Sequence, residues 1–311
     1  MAIDIDDLVG RARTGDARAV ARLLSMVEDG SPRARDVAAA LAPHTGHAHV
    51  VGITGSPGVG KSTLTSAVVA SARERGERVG VLAVDPSSPF SGGALLGDRI
   101  RMQQHATDPD VFIRSMASRG HLGGLAWATP QALRVLDASG CDVVVVETVG
   151  VGQSEVEVVS LADTVLVVLA PGMGDSVQAA KAGILEIGDI FVVNKADRDG
   201  ADSTAREIRS MLTLGERTEW TPPVLKTVAS TGDGIPELAD AIEAHRAWAQ
   251  ESGSFDNRRR RRAAEEIEAI ALTRVRAQFE AGTRGLDSLA TEVAQGRLDP
   301  YSAADQLLDR E

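Results

Sequence analysis

Short apolar runs separated by amphipathic stretches dominate the middle of the chain. From Ala48 onward these runs are rich in β-branched residues, and Gly or Pro bounds most of them. Such a pattern is typical of parallel strands that helices cover on both faces. The predicted strands are residues 50–54, 79–84, 143–146, 165–169, 191–193 and 224–228. The pattern therefore predicts an α/β fold with a doubly wound, mainly parallel sheet.

Helical patterns flank this region on both sides. In residues 5–41, Val20, Leu23, Leu24 and Val27 recur at the spacing of one helix face, which predicts two or three small helices. Beyond Ile242 the strand pattern stops, and helices are predicted at 265–279, 286–293 and 302–308. We expect three segments: a helical N-terminal segment (1–47), the α/β domain (48–248) and a helical C-terminal segment (249–311). The apolar face of the last segment must dock on its own domain or form a dimer contact.

The first predicted strand runs directly into a glycine-rich loop. Residues 55–62 form a complete Gly-x-x-x-x-Gly-Lys-Ser phosphate loop, and a predicted helix begins at Thr63. Backbone N–H groups of such a loop face phosphate, while Lys61 is expected to reach the β- and γ-phosphates and Ser62 to ligate Mg²⁺. The expected phosphate-binding residues are Gly55, Ser56, Pro57, Gly58, Val59, Gly60, Lys61, Ser62 and Thr63.

A second motif predicts which base is bound. Asn194-Lys195-Ala196-Asp197 follows a predicted strand and matches the Asn-Lys-x-Asp pattern of guanine-binding proteins. The Asp197 carboxylate can accept hydrogen bonds from N1–H and N2–H₂ of guanine, whereas adenine offers no such donor pair. Asn194 is expected to hold the ring edge or to tie its loop to the phosphate loop. The segment Ala229-Ser230-Thr231 is expected to close over the guanine oxygen, so GTP is favoured over ATP.

Three acidic residues are candidates for the metal site. Glu147 follows the strand at 143–146 and stands where an acid would support Mg²⁺ and its waters. Asp85 ends a neighbouring strand, and Asp98 follows a glycine-rich stretch. Asp85 and Asp98 have helix capping as an alternative role.

The segment after Glu147 predicts slow hydrolysis. Gly150 is expected to donate its N–H to the γ-phosphate, so that this segment senses the phosphate. The position directly after this glycine, which holds the catalytic glutamine in many small GTPases, is occupied here by Val151, and Gln153 lies two residues further on. We expect a catalytic set of Lys61, Glu147, Gly150 and Asp85. Arg99, Arg101, Arg114 and Arg119 are further candidates to stabilise transferred charge.

Charge and hydropathy narrow the classes of partner. With 33 basic and 44 acidic residues the net charge is −11, which argues against a general nucleic-acid surface. The exception is a run of five arginines at 258–262, which could bind an anion or nucleic acid but is rather expected to be a solvated helix entry or a contact for an acidic partner. No apolar run approaches the roughly 20 residues of a membrane span. The acidic N-terminus lacks the pattern of a secretory signal, so a cytoplasmic location is expected.

Cysteine and histidine usage bears on metal chemistry. The one cysteine, Cys141, is interpreted as a small buried residue that opens a strand. His44, His47 and His49 fall in the linker before the first strand, while His105 and His121 are isolated, so we interpret them as surface or linker side chains. No Cys-x-Cys pair or His-rich tail is present to bind nickel or zinc.

Taken together, these motifs resemble the methylmalonyl-CoA mutase-associated GTPases, also called MeaB or ArgK. The resemblance rests on the phosphate loop through Thr63 and on residues 84–89 (Val-Asp-Pro-Ser-Ser-Pro), 147–155 (Glu-Thr-Val-Gly-Val-Gly-Gln-Ser-Glu) and 191–197 (Phe-Val-Val-Asn-Lys-Ala-Asp). It extends over nearly the whole chain. It implies a P-loop GTPase that uses GTP, GDP and Mg²⁺, with a C-terminal arm that forms a homodimer.

The family resemblance also implies a function and partners. It implies a G-protein chaperone that gates cobalamin loading and protects methylmalonyl-CoA mutase, with an adenosyltransferase as a further partner. An additional switch segment of the family corresponds to residues 171–181, with Asp175, Gln178 and Lys181 as its polar members. The alternatives are a related metallochaperone GTPase, an ATP-using kinase linked to amino-acid transport, and a module that binds nucleotide without turnover.

Overall fold

The computed structural model describes most of the chain, in two compact units, Met1–Phe255 and Asp256–Glu311. The described residues are 4–29, 31, 33–86, 105, 107–118, 128–148, 160–172, 187–214, 219–281 and 283–308. No helix among them is both long enough and apolar enough to cross a membrane.

Helices and strands alternate through the first unit, as the apolar pattern predicts. Its helices are α1 (Ile5–Arg13), α2 (Ala17–Glu28), α3 (Ala34–Leu41), α4 (Lys61–Glu74), α5 (Ala128–Ala138), α6 (Ala201–Leu214) and α7 (Ile235–Glu251). Its strands are β1 (His49–Thr54), β2 (Val79–Pro86), β3 (Val111–Ser118), β4 (Val143–Thr148), β5 (Thr164–Leu169), β6 (Ile190–Asn194) and β7 (Val224–Thr227).

These described strands form one seven-stranded sheet in the order β3-β2-β4-β1-β5-β6-β7. Every neighbouring pair is parallel, so the predicted doubly wound parallel fold is confirmed. The central strand β1 lies between β4 and β5, with Ile53 in register with Glu147 and Thr54 in register with Val167. The carboxyl ends of these three strands therefore meet at one edge of the sheet, where α/β proteins bind ligands.

One strand was not predicted from the sequence. The strand β3 pairs with β2 alone among the described strands and forms an edge of the sheet. Arg114 and Ser115 interrupt its apolar run, which hides the strand pattern. The Arg114 guanidinium donates from Nε to Glu28 Oε2 at 3.1 Å, and Nη2 contacts the same oxygen. This ion pair ties Arg114 of β3 to α2.

Helices cover both faces of the sheet. On one face, α1, α2, α3 and α5 share a core with β2, β3 and β4, and α6 packs on β5 and β6. On the other face, α4 and α7 pack over the central strands. The four apolar residues that predict the helix α2, Val20, Leu23, Leu24 and Val27, are all buried in the first of these cores.

The N-terminal helices have well-defined starts. Asp4 accepts hydrogen bonds from the N–H groups of Asp6 and Asp7, and Asp16 accepts from those of Arg18 and Ala19. Each aspartate satisfies N–H groups that the first helical turn leaves without an intrahelical partner.

A chain of buried polar groups links the amino ends of three strands. Thr164 Oγ1, at the start of β5, lies 2.8 Å from His49 Nε2 and 2.8 Å from His245 Nδ1. His245 Nε2 lies 3.2 Å from Asp189 Oδ1, just before β6. The indole N–H of Trp220 donates to the Asp189 carbonyl oxygen at 2.8 Å. This arrangement lies at the edge of the sheet opposite the carboxyl ends.

The hydroxyl of Thr164 limits the hydrogen bonds that the two imidazoles can make with it. A hydroxyl has one proton and two lone pairs, so at most one of the two imidazoles can accept from Thr164 Oγ1, and at least one must donate to it. His49 is 1% exposed and His245 is fully buried. The interpretation of His49 as a linker side chain is therefore wrong, because the residue opens β1 and packs inside.

His105 also departs from its interpretation as a surface or linker side chain. It is 8% exposed, and its Nε2 lies 3.0 Å from Ser66 Oγ on α4.

Cys141 is 2% exposed, as expected, and burial raises the pKa of its thiol to about 12. The Cys141 side chain therefore remains a neutral thiol at physiological pH.

The second unit is helical among its described residues. It contains most of α8 (Ser254–Ala281), followed by α9 (Thr283–Ala294) and α10 (Pro300–Leu308). The helix α8 begins earlier than the pattern predicts and includes the five arginines at 258–262. Large apolar side chains are exposed on these helices: Ile267, Leu272, Leu286, Tyr301 and Leu308.

The buried polar chain leads to a prediction for folding stability. Replacement of Thr164 by Val removes the hydroxyl that serves two buried imidazoles, and leaving buried polar groups unsatisfied costs about 1–3 kcal/mol. We expect the free energy of unfolding to fall by about this amount in urea titrations followed by tryptophan fluorescence. Thr213→Val, at an exposed position on α6, is the matched control. Equal stability of the two variants would contradict a structural role for the Thr164 hydroxyl.

Candidate nucleotide site

The phosphate loop connects β1 to α4, and its glycines are required by the backbone. Gly55, Gly58 and Gly60 have φ of 142°, 82° and 95°, values that residues with a Cβ rarely adopt. A Cβ on Gly55 would lie 2.2 Å from the carbonyl oxygen of Val168 on β5. A Cβ on Gly60 would lie 2.5 Å from Asn194 Nδ2. The loop is therefore packed tightly between β5 and the loop after β6.

Lys61 and the rest of the loop form a cradle at the amino end of α4. The Lys61 ammonium donates to the carbonyl oxygens of Gly55 at 2.5 Å and Ser56 at 3.2 Å. Lys61 and Ser62 are buried, and Val59 is also buried, whereas Pro57, Gly58 and Thr63 are exposed. The loop thus presents a positive charge and a helix N-terminus at the same place, a combination that favours a bound polyphosphate.

Glu147 lies directly behind this cradle. Glu147 is 2% exposed and lies one residue before the end of β4, in register with Ile53 of β1. Glu147 Oε1 accepts a hydrogen bond from Ser62 Oγ at 2.7 Å, and Oε2 accepts one from Thr65 Oγ1 at 2.8 Å. The structure therefore brings together Ser62 and Glu147, two of the residues that the sequence predicts for the metal site.

The hydroxyl of Ser62 and the carboxylate of Glu147 are suitable ligands for a magnesium ion. Mg²⁺ takes oxygen ligands, keeps several of its waters and is usually held by one or two carboxylates together with substrate phosphates. Ser62 would supply a hydroxyl oxygen, and Glu147 would accept hydrogen bonds from coordinated water or bind the ion directly. Asp85 lies in β2 in register with Ala117, but its side chain is outside the described part of the structure, as are Asp98 and Gly150.

Asn194 connects the base-recognition motif to the phosphate loop. Its Nδ2 donates to the carbonyl oxygen of Val59 at 2.9 Å. Its Oδ1 accepts from Thr227 Oγ1 at 3.2 Å and from the Ala229 N–H at 3.1 Å. Of the two roles that the sequence leaves open for Asn194, this structure has the tie between loops. Thr227 was not predicted from the sequence, because a threonine at a strand end carries no distinctive pattern.

The remaining residues of the motif surround the same region. Lys195 has φ of 58°, uncommon for a residue with a side chain, and its Nζ donates to the Gly58 carbonyl oxygen at 2.5 Å. Asp197 is exposed. Ser230 and Thr231 are also exposed, and Thr231 Oγ1 donates to Asp233 Oδ2 at 2.8 Å. These contacts tie the loops after β6 and β7 to the phosphate loop and leave the Asp197 carboxylate accessible to a base.

The predicted switch residues Asp175, Gln178 and Lys181 lie outside the described residues.

Thr65, like Thr227, was not predicted from the sequence. The available signal was its spacing: Thr65 follows Ser62 by three residues on a predicted helix, which places both hydroxyls on one face.

Asn194 gives a test of the connection between the two loops. The variant Asn194→Ala removes three hydrogen bonds, so the free energy of unfolding without nucleotide should fall by about 1–3 kcal/mol. Guanine nucleotide affinity should fall in parallel, because both loops lose their tie. Asn257→Ala, at the exposed Asn257 of α8, serves as the control in denaturant titrations. Stability equal to that of this control would contradict the assigned role of Asn194.

Comparison with known proteins gives matches over most of the chain. The family model described as "Methylmalonyl Co-A mutase-associated GTPase MeaB" matches residues 20–284. A protein of Pyrococcus horikoshii, described by name as a GTPase, is 52% identical over 310 residues and covers 98% of both chains. The mouse protein "Methylmalonic aciduria type A homolog, mitochondrial" is 35% identical over 83% of this chain and 64% of its own length.

A solved structure extends the comparison to the fold. The crystal structure of an LAO/AO transport system kinase has a TM-score of 0.75 and 28% identity, and the match covers 99% of each chain. Both the family model and the relatives span the phosphate loop, the Glu147 strand and the Asn194 motif. The chain therefore belongs to the MeaB family of methylmalonyl-CoA mutase-associated GTPases.

Proposed function

We propose that this GTPase acts as a Mg²⁺-dependent chaperone for methylmalonyl-CoA mutase, gating cobalamin loading and protecting the mutase. The observation that carries the GTPase part is the convergence of Lys61, Ser62 and Glu147 at the phosphate loop, with Ser62 Oγ 2.7 Å from Glu147 Oε1. Support for the partner comes from the description of the matching family.

The chain's own residues supply binding, orientation and charge for hydrolysis. Loop N–H groups and the Lys61 ammonium stabilise negative charge on the phosphates, including charge that develops in the transition state. Glu147 accepts hydrogen bonds at a buried position, and Ser62 offers a hydroxyl oxygen beside it. Bound Mg²⁺ would neutralise phosphate charge at this place. Gly150 and Asp85 complete the proposed catalytic set, and Asp98 stays a proposed metal ligand.

Slow intrinsic turnover suits a switch protein. With Val151 directly after Gly150, the position that often holds the catalytic glutamine carries no polar group. A protein that hydrolyses GTP slowly alone keeps its GTP state until a partner accelerates the reaction. We propose that Asp175, Gln178 and Lys181 couple the nucleotide state to that partner.

Assembly forms a further part of the proposal. The helical segment 249–311 exposes several large apolar side chains, and a homodimer would cover them. An adenosyltransferase is the second proposed partner, because cobalamin must be delivered before a mutase can be loaded.

A second candidate function is an ATP-using kinase, favoured by the similarity to the solved LAO/AO transport system kinase. Nucleotide preference separates the two functions. The exposed Asp197 is the last residue of the Asn194 motif, and its carboxylate can pair with guanine but not with adenine. The metallochaperone alternative would need soft metal ligands, and the chain contains one cysteine, which is buried.

The base preference can be tested at Asp197. The variant Asp197→Asn replaces a pure acceptor by an amide, so GTP affinity should fall about 100-fold, while affinity for xanthosine triphosphate should rise. Xanthine carries a carbonyl where guanine has its amino group, and the new amide can donate to it. Isothermal titration with Asp199→Asn, another exposed aspartate of the same loop, provides the matched control. Unchanged GTP affinity of Asp197→Asn would rule out the guanine contact.

The partner can be tested by measuring GTP hydrolysis with and without an adenosylcobalamin-dependent methylmalonyl-CoA mutase from the same organism. We expect stimulation of about tenfold or more, as partner-assisted GTPases commonly show. Lys61→Ala with the mutase gives the background of contaminating hydrolysis. The chaperone proposal fails if the mutase neither stimulates hydrolysis nor forms a complex on a sizing column, whereas the GTPase assignment would stand.

A further inference from the structure

We propose that Thr65 is a positioning residue that holds the Glu147 carboxylate in place for Mg²⁺-dependent hydrolysis. The inference rests on the Mg²⁺-dependent GTPase function proposed above and adds a residue to its machinery. Thr65 lies outside the phosphate-loop motif, one helical turn beyond Ser62 on α4.

The contact is buried and well formed. Thr65 is fully buried, and its Oγ1 donates to Glu147 Oε2 at 2.8 Å. Glu147 itself is 2% exposed. Withdrawing a carboxylate from water is costly unless hydrogen bonds replace the lost hydration, so each donor to Glu147 matters. Ser62 serves one carboxylate oxygen and Thr65 serves the other.

Ser62 and Thr65 differ in their other roles in the proposed site. Ser62 Oγ is also the expected metal ligand, so the same oxygen has two candidate partners. Thr65 carries no such second task in the proposed site. Its hydrogen bond to Oε2 therefore keeps the orientation of Glu147 fixed when Ser62 turns to another partner.

The scaffold around this pair is rigid. Glu147 is held by the pairing of β4 with β1, where its Cα lies opposite Ile53. Thr65 lies on a 14-residue helix, and a β-branched side chain has restricted χ1 freedom. Neither group needs to be ordered at the moment of reaction, which is the condition under which electrostatic groups contribute most to catalysis.

A merely structural role would also use this contact, so the test must separate the two roles. Thr65→Val keeps the shape and removes the hydroxyl, whereas Thr65→Ser keeps the hydroxyl. Thr129→Val is the matched control, since Thr129 is fully buried and its hydroxyl has no hydrogen-bond partner among the described residues.

Two readouts should be taken on each full-length variant. The first is the Mg²⁺ concentration that gives half-maximal GTP hydrolysis. The second is the affinity for a fluorescent GDP analogue, measured with Mg²⁺ and again in EDTA. Unfolding of each variant by urea, without nucleotide, shows whether the variant is folded.

We expect Thr65→Val to raise the required Mg²⁺ concentration about tenfold or more, because a hydrogen bond to a charged group is lost. Its GDP affinity should fall with Mg²⁺ present and change less than about threefold in EDTA, which is less than about half of the 1.4 kcal/mol that a tenfold change represents. Thr65→Ser should restore both values, and Thr129→Val should match the wild type.

Two results would overturn the proposal. One is an unchanged Mg²⁺ requirement in Thr65→Val. The other is an equal loss of GDP affinity with Mg²⁺ and in EDTA, which would mean that Thr65 only stabilises the fold. If Thr65→Val does not fold, a Mg²⁺ requirement of Thr65→Ser unlike that of the wild type counts against the proposal, and a matching one supports it. Hydrolysis by the wild type that needs no Mg²⁺ would instead refute the proposed function itself.

Discussion

The pairing of β1 between β4 and β5 is the constraint on which the site depends. Because all three strands run in parallel, their carboxyl ends deliver the phosphate loop, Glu147 and the segment after β5 to one edge of the sheet. The close approach of Gly55 to the Val168 carbonyl shows how little space this arrangement leaves. A slip of one residue in β4 would turn the Glu147 side chain to the opposite face of the sheet.

At both ends of the sheet, several buried polar side chains form hydrogen bonds with one another. At the carboxyl end, Ser62 and Thr65 donate to Glu147. At the amino end, Thr164 joins His49 and His245 within the core. Hydrogen-bonded networks of this kind rigidify a core, since leaving a member without its partner carries the full desolvation cost. The nucleotide site thus rests on a scaffold that is fixed at both ends of its strands.

Much of this arrangement could be predicted from the sequence, for identifiable reasons. The phosphate loop and the Asn194 motif are contiguous, and each places its glycines or polar groups at the spacing that nucleotide binding requires. The strand β3 escaped prediction because Arg114 pairs with Glu28 of α2, a contact between residues distant in sequence. His49 and His245 escaped for the same reason, because both contact Thr164, which lies far from them in the sequence. Long-range pairing of polar side chains leaves no periodic pattern in the chain.

The central claim is that groups for phosphate and for guanine share one edge of the sheet, so that GTP is the nucleotide hydrolysed. The most direct measurement is phosphate release by the purified protein from GTP and from ATP, at equal concentrations and saturating Mg²⁺. The account predicts slow release from GTP and a kcat/KM for ATP at least about 100-fold lower. Equal kcat/KM values for the two nucleotides would contradict it.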